Sequence, residues 1–267
     1  MSESRKAPAG IDPNRPSPAR VYDCYLGGTH NFAADRAVAA LAIAAMPRLP
    51  EIMRANRAFL RRAVRMAATD GVDQFLDIGS GIPTVGNVHE IARQIRPGAR
   101  VVYVDIDPAA VIHSRSILGD DPRSAVLRAD LLDAEEILTA PAVTALLDLA
   151  EPVCLLLVAV LHFIPDSPAL PAALTRYREA LAPGSYLVIS HATAEDSPTT
   201  SNVADVYTKV SSPLVPRTRT QLEALLAGWT VVEPGLCQGP DWRPDPGDPP
   251  ATDLGAYATL AVVARKP

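Results

Sequence analysis

Cysteine is scarce in this sequence, and the few cysteines present are not spaced for metal or disulfide chemistry. The chain of 267 residues contains only Cys24, Cys154 and Cys237, with no Cys-X-X-Cys pair. An odd set of isolated cysteines argues against a disulfide framework and a thiolate zinc site. No cluster of histidine, cysteine and carboxylate residues has ligand spacing either, so we expect no metal. This cysteine usage fits a reducing cytoplasm.

Long hydrophobic runs are also absent. The most apolar stretch, residues 153 to 164, is twelve residues long, whereas roughly 20 residues are needed to cross a bilayer. We therefore expect no membrane partner and interpret this run as a buried core strand. Residues 1 to 18 hold four prolines and several charges but no continuous apolar stretch. They predict a disordered arm and not a signal peptide.

Positive charge and aromatic side chains are both in short supply. The net charge is -5, and only three residues are lysine. Because the chain lacks the positive field that phosphate backbones select, we expect no nucleic acid as its main partner. Aromatic residues make up 5% of the chain, which gives little indication of a stacking cage for a planar substrate. These features favour a small-molecule partner, and they leave the oligomeric state open.

What the sequence does contain is a regular alternation of short apolar runs with helical stretches. The runs are rich in Val, Ile and Leu at consecutive positions, as parallel strands covered by helices on both faces must be. They occupy residues 74 to 81, 100 to 107, 124 to 131, 153 to 164 and 185 to 192. Five such strands with intervening helices predict a doubly wound α/β sheet.

The two ends of the chain depart from this alternation. Residues 35 to 46 and 51 to 68 have helical patterns, and the second pattern carries one apolar stripe. Residues 229 to 236 and 256 to 266 have strand patterns with no helix between them, so we expect them to pair as an antiparallel hairpin. The proline-rich connection from 237 to 255 is predicted to be a long loop.

The strongest chemical signal is a glycine turn after the first predicted strand. It reads Asp77-Ile78-Gly79-Ser80-Gly81, and its glycines permit a tight backbone and the close approach of a ligand. Asp105 ends the second predicted strand, 24 residues after Gly81. A carboxylate at that place can accept from both hydroxyls of a ribose. The turn and the acid together predict a nucleoside site.

Positions 83 and 84 bear on which nucleoside binds. A dinucleotide site uses a third glycine, together with free N–H groups that hold a pyrophosphate. Here Thr84 takes the third glycine position, and Pro83 has no N–H to donate. S-adenosylmethionine has a ribose and an adenine but no phosphate, so it is favoured over NAD. The alternative for Pro83 is the ordinary first residue of a helix.

Several motifs resemble those of the class I S-adenosylmethionine-dependent methyltransferases. Besides the glycine turn and the acid at the end of the second strand, they are Ala129-Asp130-Leu131 and His162-Phe163-Ile164-Pro165-Asp166. More closely, five segments resemble a methyltransferase family of unassigned substrate, formerly a domain of unknown function, that is common in high-GC Gram-positive bacteria. These segments are residues 20 to 36, 56 to 65, 101 to 108, 155 to 166 and 181 to 193.

The resemblance implies a fold and a division of the chain. The fold is a doubly wound, mostly parallel, seven-stranded Rossmann-like sheet with a C-terminal antiparallel hairpin and an N-terminal helical cap. The disordered arm then spans residues 1 to 18, and the cap or lid spans residues 19 to 70. The methyltransferase domain spans residues 71 to 267 and forms one structural unit with the cap.

The resemblance and the chemistry of the side chains together assign roles in the cofactor site. Asp105 is expected to hold the ribose diol, and Ile106 to pack on the adenine. Asp130 is expected to accept from the adenine amino group beside Leu131, with a strand-end turn residue as the alternative. Asp77 is expected to brace the turn or to bind the methionine ammonium group. The backbone of the turn completes the predicted site with Gly79, Ser80 and Gly81.

The segment before the first helical pattern is predicted to act as a lid over the methionine part of the cofactor. Its relevant residues are Tyr22, Gly27, Gly28, Asn31 and Phe32. An ordinary linker is the alternative. Arg57 and Arg20 are candidates for a fork on the methionine carboxylate, and a solvated arginine is the alternative for each.

Methyl transfer from a sulfonium depends on alignment and on the exclusion of water. Where the acceptor is protonated, His162 after the fourth strand or His191 after the fifth is a candidate base. The alternative for each is a structural hydrogen-bonding histidine. We expect the acceptor pocket between the cap, the loop after His162 and residues 197 to 216. Its candidate lining residues are Phe163, Tyr207 and Lys209.

Two functions of different classes follow from this site. The favoured one is an S-adenosylmethionine-dependent methyltransferase that acts on a small metabolite. The other is a non-catalytic module that binds the same cofactor and regulates a partner. The formation of a methylated product separates them.

Overall fold

A mixed β-sheet forms the centre of the computed structural model, which describes residues 10–83, 86–193, 203–207, 213–246, 248 and 258–267. Its strands are β1 (Gln74–Ile78), β2 (Arg100–Asp105), β3 (Ser124–Arg128), β4 (Cys154–Val158), β5 (Tyr186–Ala192), β6 (Thr230–Val231), β7 (Cys237–Gln238) and β8 (Thr259–Arg265). Within the described residues the order is β3-β2-β1-β4-β5-β8-β6, and β7 pairs with β8 beside this path.

The strand directions confirm the predicted fold. Strands β1 to β5 pair in parallel, whereas β8 runs antiparallel to β5, β6 and β7. In the predicted hairpin, Thr230 lies opposite Arg265 and Val231 lies opposite Ala264. The sheet is therefore doubly wound and mostly parallel, with seven strands in its main order and antiparallel strands at its C-terminal edge.

Helices cover both faces of the sheet. They are α1 (Pro18–Tyr25), α2 (Ala33–Ala45), α3 (Leu49–Thr69), α4 (Val88–Arg93), α5 (Pro108–Leu118), α6 (Ala134–Thr139), α7 (Pro141–Thr144), α8 (Ala169–Ala180) and α9 (Arg219–Leu225). Residues 203 to 207 form a further helical segment. Within the described part of the chain, no helix has the length and apolarity needed to span a bilayer.

The central strands β1, β2, β4 and β5 are mostly buried, and two hydrophobic cores pack against the sheet. One core, which includes Leu76, Val102 and Leu155, contacts α6 and α8. The other, which includes Phe75 and Val101, contacts α3 and α4. The strand order reverses between β1 and β4, so a crevice opens there outside the carboxyl ends of the strands.

The N-terminal helices form a third core above this crevice. The predicted stripe of α3 is buried at every position, namely Ile52, Asn56, Phe59, Leu60, Ala63, Val64 and Ala67. Its first turns pack against α1, α2 and Tyr207. Helix α1 is absent from the sequence prediction: the Ser17 side chain accepts from the Arg20 N–H at its start, and Pro18 occupies its first turn.

Two further predictions differ from the structure, and a third is covered by it only in part. The apolar run 153 to 164 is wrong as one strand, because β4 ends at Val158 and a 3-10 turn follows at Leu161–Phe163. The proline-rich connection includes β7 and a 3-10 turn, and its Trp242 is fully buried against Phe59. Of the predicted arm, residues 1 to 9 lie outside the described residues, whereas Ile11 and Ser17 are buried.

Candidate active site

A cavity of about 390 Å³ fills the crevice at the point where the strand order reverses. It is bounded by the carboxyl ends of β1, β2 and β4 below and by α1 and α3 above. Nine residues predicted from the sequence to contact a cofactor line it: Arg57, Asp77, Gly79, Ser80, Gly81, Asp105, Ile106, Asp130 and Leu131. The structure therefore brings together residues from positions 57 to 131 around one space.

The glycine turn at the base of the cavity has the conformation that its sequence requires. Gly79 has a φ of +72° and Gly81 a φ of +64°, in the left-handed region that favours glycine. A Cβ on Gly79 would lie 2.2 Å from a methyl carbon of Val160, so no side chain fits there. The Gly79 N–H donates to the carbonyl of Val104 at 2.8 Å, which fixes the turn against β2.

Asp105 is held against the turn by two backbone hydrogen bonds. One of its carboxylate oxygens accepts from the Gly81 N–H at 2.8 Å, and the other accepts from the Asp107 N–H at 2.9 Å. Each carboxylate oxygen has a second lone pair for a further donor. Burial raises the pKa of Asp105 to about 6, against the opposing effect of these N–H groups. A buried carboxyl with spare acceptor capacity suits the two hydroxyls of a ribose.

Asp77 is a second buried carboxyl in the cavity wall. Its pKa is raised to about 7, mainly by burial, while the charge of Arg57 acts to lower it and the charge of Asp105 acts to raise it. A ligand ammonium group at this place would favour the ionised carboxyl. Arg57 donates to the carbonyl of Gly86 at 2.9 Å and lines the same cavity. Asp77 and Arg57 thus present charges of both signs, which suits the ammonium and carboxylate of a methionine group.

Beside Asp105, the cavity wall offers an apolar surface that suits a nucleobase. Ile106 is 58% exposed, which is unusual for an isoleucine beside a buried strand, while Leu131 is buried. Asp130 accepts from the Leu132 N–H at 2.9 Å through one carboxylate oxygen, as a strand-end turn residue does. All three side chains line the cavity. This arrangement can cover the face of an adenine and accept from its amino group.

Only part of the predicted lid segment lines the cavity. Tyr22 lines the cavity, but Gly28, Asn31 and Phe32 are not among its lining residues. Asn31 instead donates to the Asp23 carboxylate at 2.8 Å, and a Cβ on Gly28 would lie 1.9 Å from that carboxylate. These residues shape the loop behind Asp23, which itself lines the cavity.

Arg20 likewise does not line the cavity. It forms a buried ion pair with Asp35 at 2.8 Å, and its guanidinium lies 5.3 Å from the centre of the Phe32 ring. Arg20 is therefore neither the predicted fork on the methionine carboxylate nor a solvated arginine. Its role is to join α1 to α2.

Several lining residues were not predicted from the sequence. Ala159 and Val160 follow β4, and Pro18, Asp23 and Leu26 come from α1 and its end. Ala159 has a φ of +56°, which is strained for a residue with a side chain and often marks a functional site. The Ser190 hydroxyl and carbonyl both accept from its N–H. An alanine gives no sequence signal for such a conformation.

A second cavity of about 80 Å³ adjoins the first. Five residues line both: Pro18, Tyr22, Asn56, Ala159 and Phe163. His162, His191 and Tyr207 line the second cavity only. Of the predicted acceptor segment, Tyr207 and Leu214 line it, whereas Lys209 lies outside the described residues.

The hydrogen bonds of His191 fix its protonation. Arg217 can only donate, so His191 Nε2 accepts from it at 2.9 Å, and Nδ1 donates to the carbonyl of Ala192 at 2.6 Å. Burial and the charge of Arg217 lower the pKa of His191 to about 4, against the opposing effect of the Ala192 carbonyl. Both ring nitrogens are thus engaged, which favours the structural alternative for this residue.

His162 is neutral as well, but its hydrogen bonds differ from those of His191. Its Nδ1 accepts from the Ala192 N–H at 3.3 Å, which leaves the ring proton on Nε2. Burial, His191 and Arg217 all lower the pKa of His162 well below the usual value.

Among the described residues, no group of three histidine, cysteine or carboxylate side chains could hold a metal ion.

The chain is similar to known proteins over nearly its whole length. The model of the S-adenosyl methyltransferase family matches residues 4–267. A candidate methyltransferase from Thermobifida fusca YX, known from its crystal structure, is 41% identical with a TM-score of 0.91, over 97% of this chain and 98% of its own. A DUF574 family protein from Streptomyces avermitilis MA-4680 is 40% identical with a TM-score of 0.91, over 96% and 99% of the two chains.

A more distant structure shows the fold alone. The N-methyltransferase NodS from Bradyrhizobium japonicum WM9, in complex with S-adenosyl-L-homocysteine, is 18% identical with a TM-score of 0.50, over 81% of this chain and 88% of its own. No curated protein sequence matches the chain. The match of the family over nearly the whole chain decides the assignment and, with it, the methyl donor. The chain belongs to the S-adenosyl methyltransferase family, whose methyl donor is S-adenosylmethionine.

Proposed function

We propose that this protein transfers the methyl group of S-adenosylmethionine to a small-molecule acceptor. One observation carries the proposal: the cavity that suits the cofactor adjoins a second cavity, and five residues line both. A module that only sensed the cofactor would need no second chamber at this place. The acidic net charge of -5 also disfavours RNA or DNA as the acceptor.

The residues of the site divide the work between donor and acceptor. Asp105 and Ile106 hold the nucleoside, and Asp77 with Arg57 holds the methionine group. The bound cofactor supplies a reactive sulfonium methyl group. Tyr22 and Phe163 stand between the two cavities, where they exclude water and align the acceptor with the donor. Alignment of this kind supplies much of the rate enhancement in a displacement reaction.

General base catalysis by the two histidines is not needed in this proposal. His191 has both ring nitrogens in hydrogen bonds, and His162 carries its proton on Nε2. The acceptor atom therefore brings its own lone pair. The predicted role of either histidine as a base remains a hypothesis that a pH profile with a known acceptor can examine.

The proposal is tested by following the methyl group. The protein is incubated with methyl-labelled S-adenosylmethionine and an extract of Streptomyces avermitilis, and the products are separated by mass. We expect label in the low-mass fraction, and we expect its loss with Asp105→Asn. Label in nucleic acid or protein would contradict a small-molecule acceptor. Tight cofactor binding with no label in any fraction would instead support the regulatory module.

A further inference from the structure

The described residues that line the second cavity carry no fixed charge, and this limits what the cavity can hold. Among the described residues that line it, none is Asp, Glu, Lys or Arg. Its titratable side chains are tyrosines and histidines. Burial raises the pKa values of Tyr22, Tyr25 and Tyr207 and lowers those of the two histidines, so all are neutral near pH 7. A charged group placed here would lose its hydration without a partner.

The size of the cavity sets a second limit. Its volume of about 80 Å³ has room for on the order of five to eight atoms of the size of a water oxygen. The walls are largely apolar and include Ile52, Met53 and Leu214. A compact, largely apolar group fits this space better than a sugar or a nucleotide.

The polar groups of the wall are mostly engaged with one another. Tyr25 and Tyr207 share a hydrogen bond of 3.0 Å between their hydroxyls. Tyr22 donates to the carbonyl of Met53 at 3.3 Å and accepts from Asn56 at 3.0 Å. His162 differs, because its Nδ1 accepts from the Ala192 N–H and its Nε2 carries a proton. It is the imidazole in this wall that can donate to a ligand oxygen.

From these observations we infer that the second cavity binds the uncharged, compact end of the methyl acceptor, and that His162 donates a hydrogen bond from Nε2 to an oxygen of that group. The inference rests on the proposed function and names its substrate class. His162 then orients the acceptor and does not remove its proton. The acceptor atom lies beside Tyr22 and Ala159, where the two cavities adjoin.

The test uses probes of matched size. The protein is saturated with S-adenosylhomocysteine, and benzyl alcohol, benzylammonium and benzoate are titrated separately by ligand-observed NMR. We expect benzyl alcohol to bind at least tenfold more tightly than either ion. Equal binding of an ion, or no binding of benzyl alcohol up to its solubility, would overturn the inference.

Variants locate the binding. Leu214→Trp fills the second cavity from a loop, and Leu41→Trp adds the same side chain at an exposed position on α2. We expect Leu214→Trp to weaken benzyl alcohol at least tenfold and Leu41→Trp to leave it unchanged, with the S-adenosylhomocysteine affinity preserved in both. Should Leu214→Trp not fold, Met53→Trp fills the same cavity from α3. Unchanged binding in the filled variant would overturn the inference.

A further pair of probes tests His162. Toluene has the shape of benzyl alcohol without the oxygen, so the ratio of their affinities measures the hydrogen bond. We expect a ratio of several-fold in the wild type, its loss in His162→Phe and its partial recovery in His162→Gln, which retains an N–H donor. An unchanged ratio in His162→Phe would remove His162 from the inference. Failure of S-adenosylhomocysteine to bind the wild type would contradict the proposed function itself, so the two failures are distinguishable.

Discussion

The guanidinium of Arg217 donates to Nε2 of His191 across 2.9 Å, and both residues are almost fully buried. The same guanidinium donates to the carbonyls of Leu161 and Ile164 and to the carboxylate of Asp166. One side chain thus joins β5 to the turn after β4, where the two cavities meet. Arg217 is therefore expected to determine the shape of the acceptor side of the site.

Arg217→Met tests how much the hydrogen bonds of Arg217 stabilise the fold. The variant leaves two carbonyls and a histidine nitrogen without their donor, so we expect the free energy of unfolding to fall by about 3 kcal/mol. Arg176→Met is the control, because its ion pair with Glu135 is exposed and an exposed pair contributes little to stability. Urea unfolding of both variants gives the comparison. Equal losses of unfolding free energy in the two variants would show that burial of the Arg217 hydrogen bonds adds no stability.

Ile106→Ser tests the face for the adenine. Because Ile106 is 58% exposed without ligand, we expect little change in the urea midpoint of the free protein. Loss of the apolar contact to the base should weaken S-adenosylhomocysteine by about tenfold. Ile117→Ser on α5 is the matched control, at an isoleucine that is 40% exposed and does not line the cavity. An equal cofactor affinity in the two variants would contradict the assigned role of Ile106.

The affinity for the cofactor should depend on pH. In the free protein the pKa values of Asp105 and Asp77 are raised to about 6 and about 7, so both carboxyls are largely protonated at pH 5. Binding of ribose hydroxyls and of an ammonium group favours the ionised carboxylates. We therefore expect the affinity for S-adenosylhomocysteine to rise by at least about tenfold between pH 5 and pH 7.5.

Proton release provides an independent check of that dependence. Calorimetric titrations at pH 6.5 in buffers of different ionisation enthalpy should show net release of protons on binding. In Asp105→Asn the release should decrease, because one of the two titrating groups is gone. A constant affinity over this pH range with no proton release would show that ligand binding does not change the ionisation of the two carboxyls.

The sheet and most of the residues predicted to line the first cavity could be predicted because their signals are local in the sequence. Consecutive apolar residues indicate strands buried on both faces, and a positive φ favours glycine, as at Gly79. An acid at the end of the second strand must lie beside that turn in this topology. The place of Asp105 in the cavity wall therefore follows from the sequence alone.

Other features depend on contacts between distant residues and gave no local signal. Ala159 has a positive φ, and its N–H donates to the hydroxyl of Ser190, which is 31 residues away. The tautomer of His191 depends on its hydrogen bond with Arg217, a residue that the sequence did not single out. Asn31 turns to Asp23 and not to the cavity. Patterns of single residues cannot indicate which partner a polar side chain will find.

We infer that Asp105 and the glycine turn bind S-adenosylmethionine, and calorimetric titration of Asp105→Asn examines this contact itself. The control is Asp73→Asn, at a half-exposed carboxylate just before β1 that pairs with Arg100. We expect the wild type and Asp73→Asn to bind S-adenosylmethionine and not NAD, and we expect Asp105→Asn to bind S-adenosylmethionine at least about tenfold more weakly. Unchanged affinity in Asp105→Asn, or a preference of the wild type for NAD, would contradict this inference.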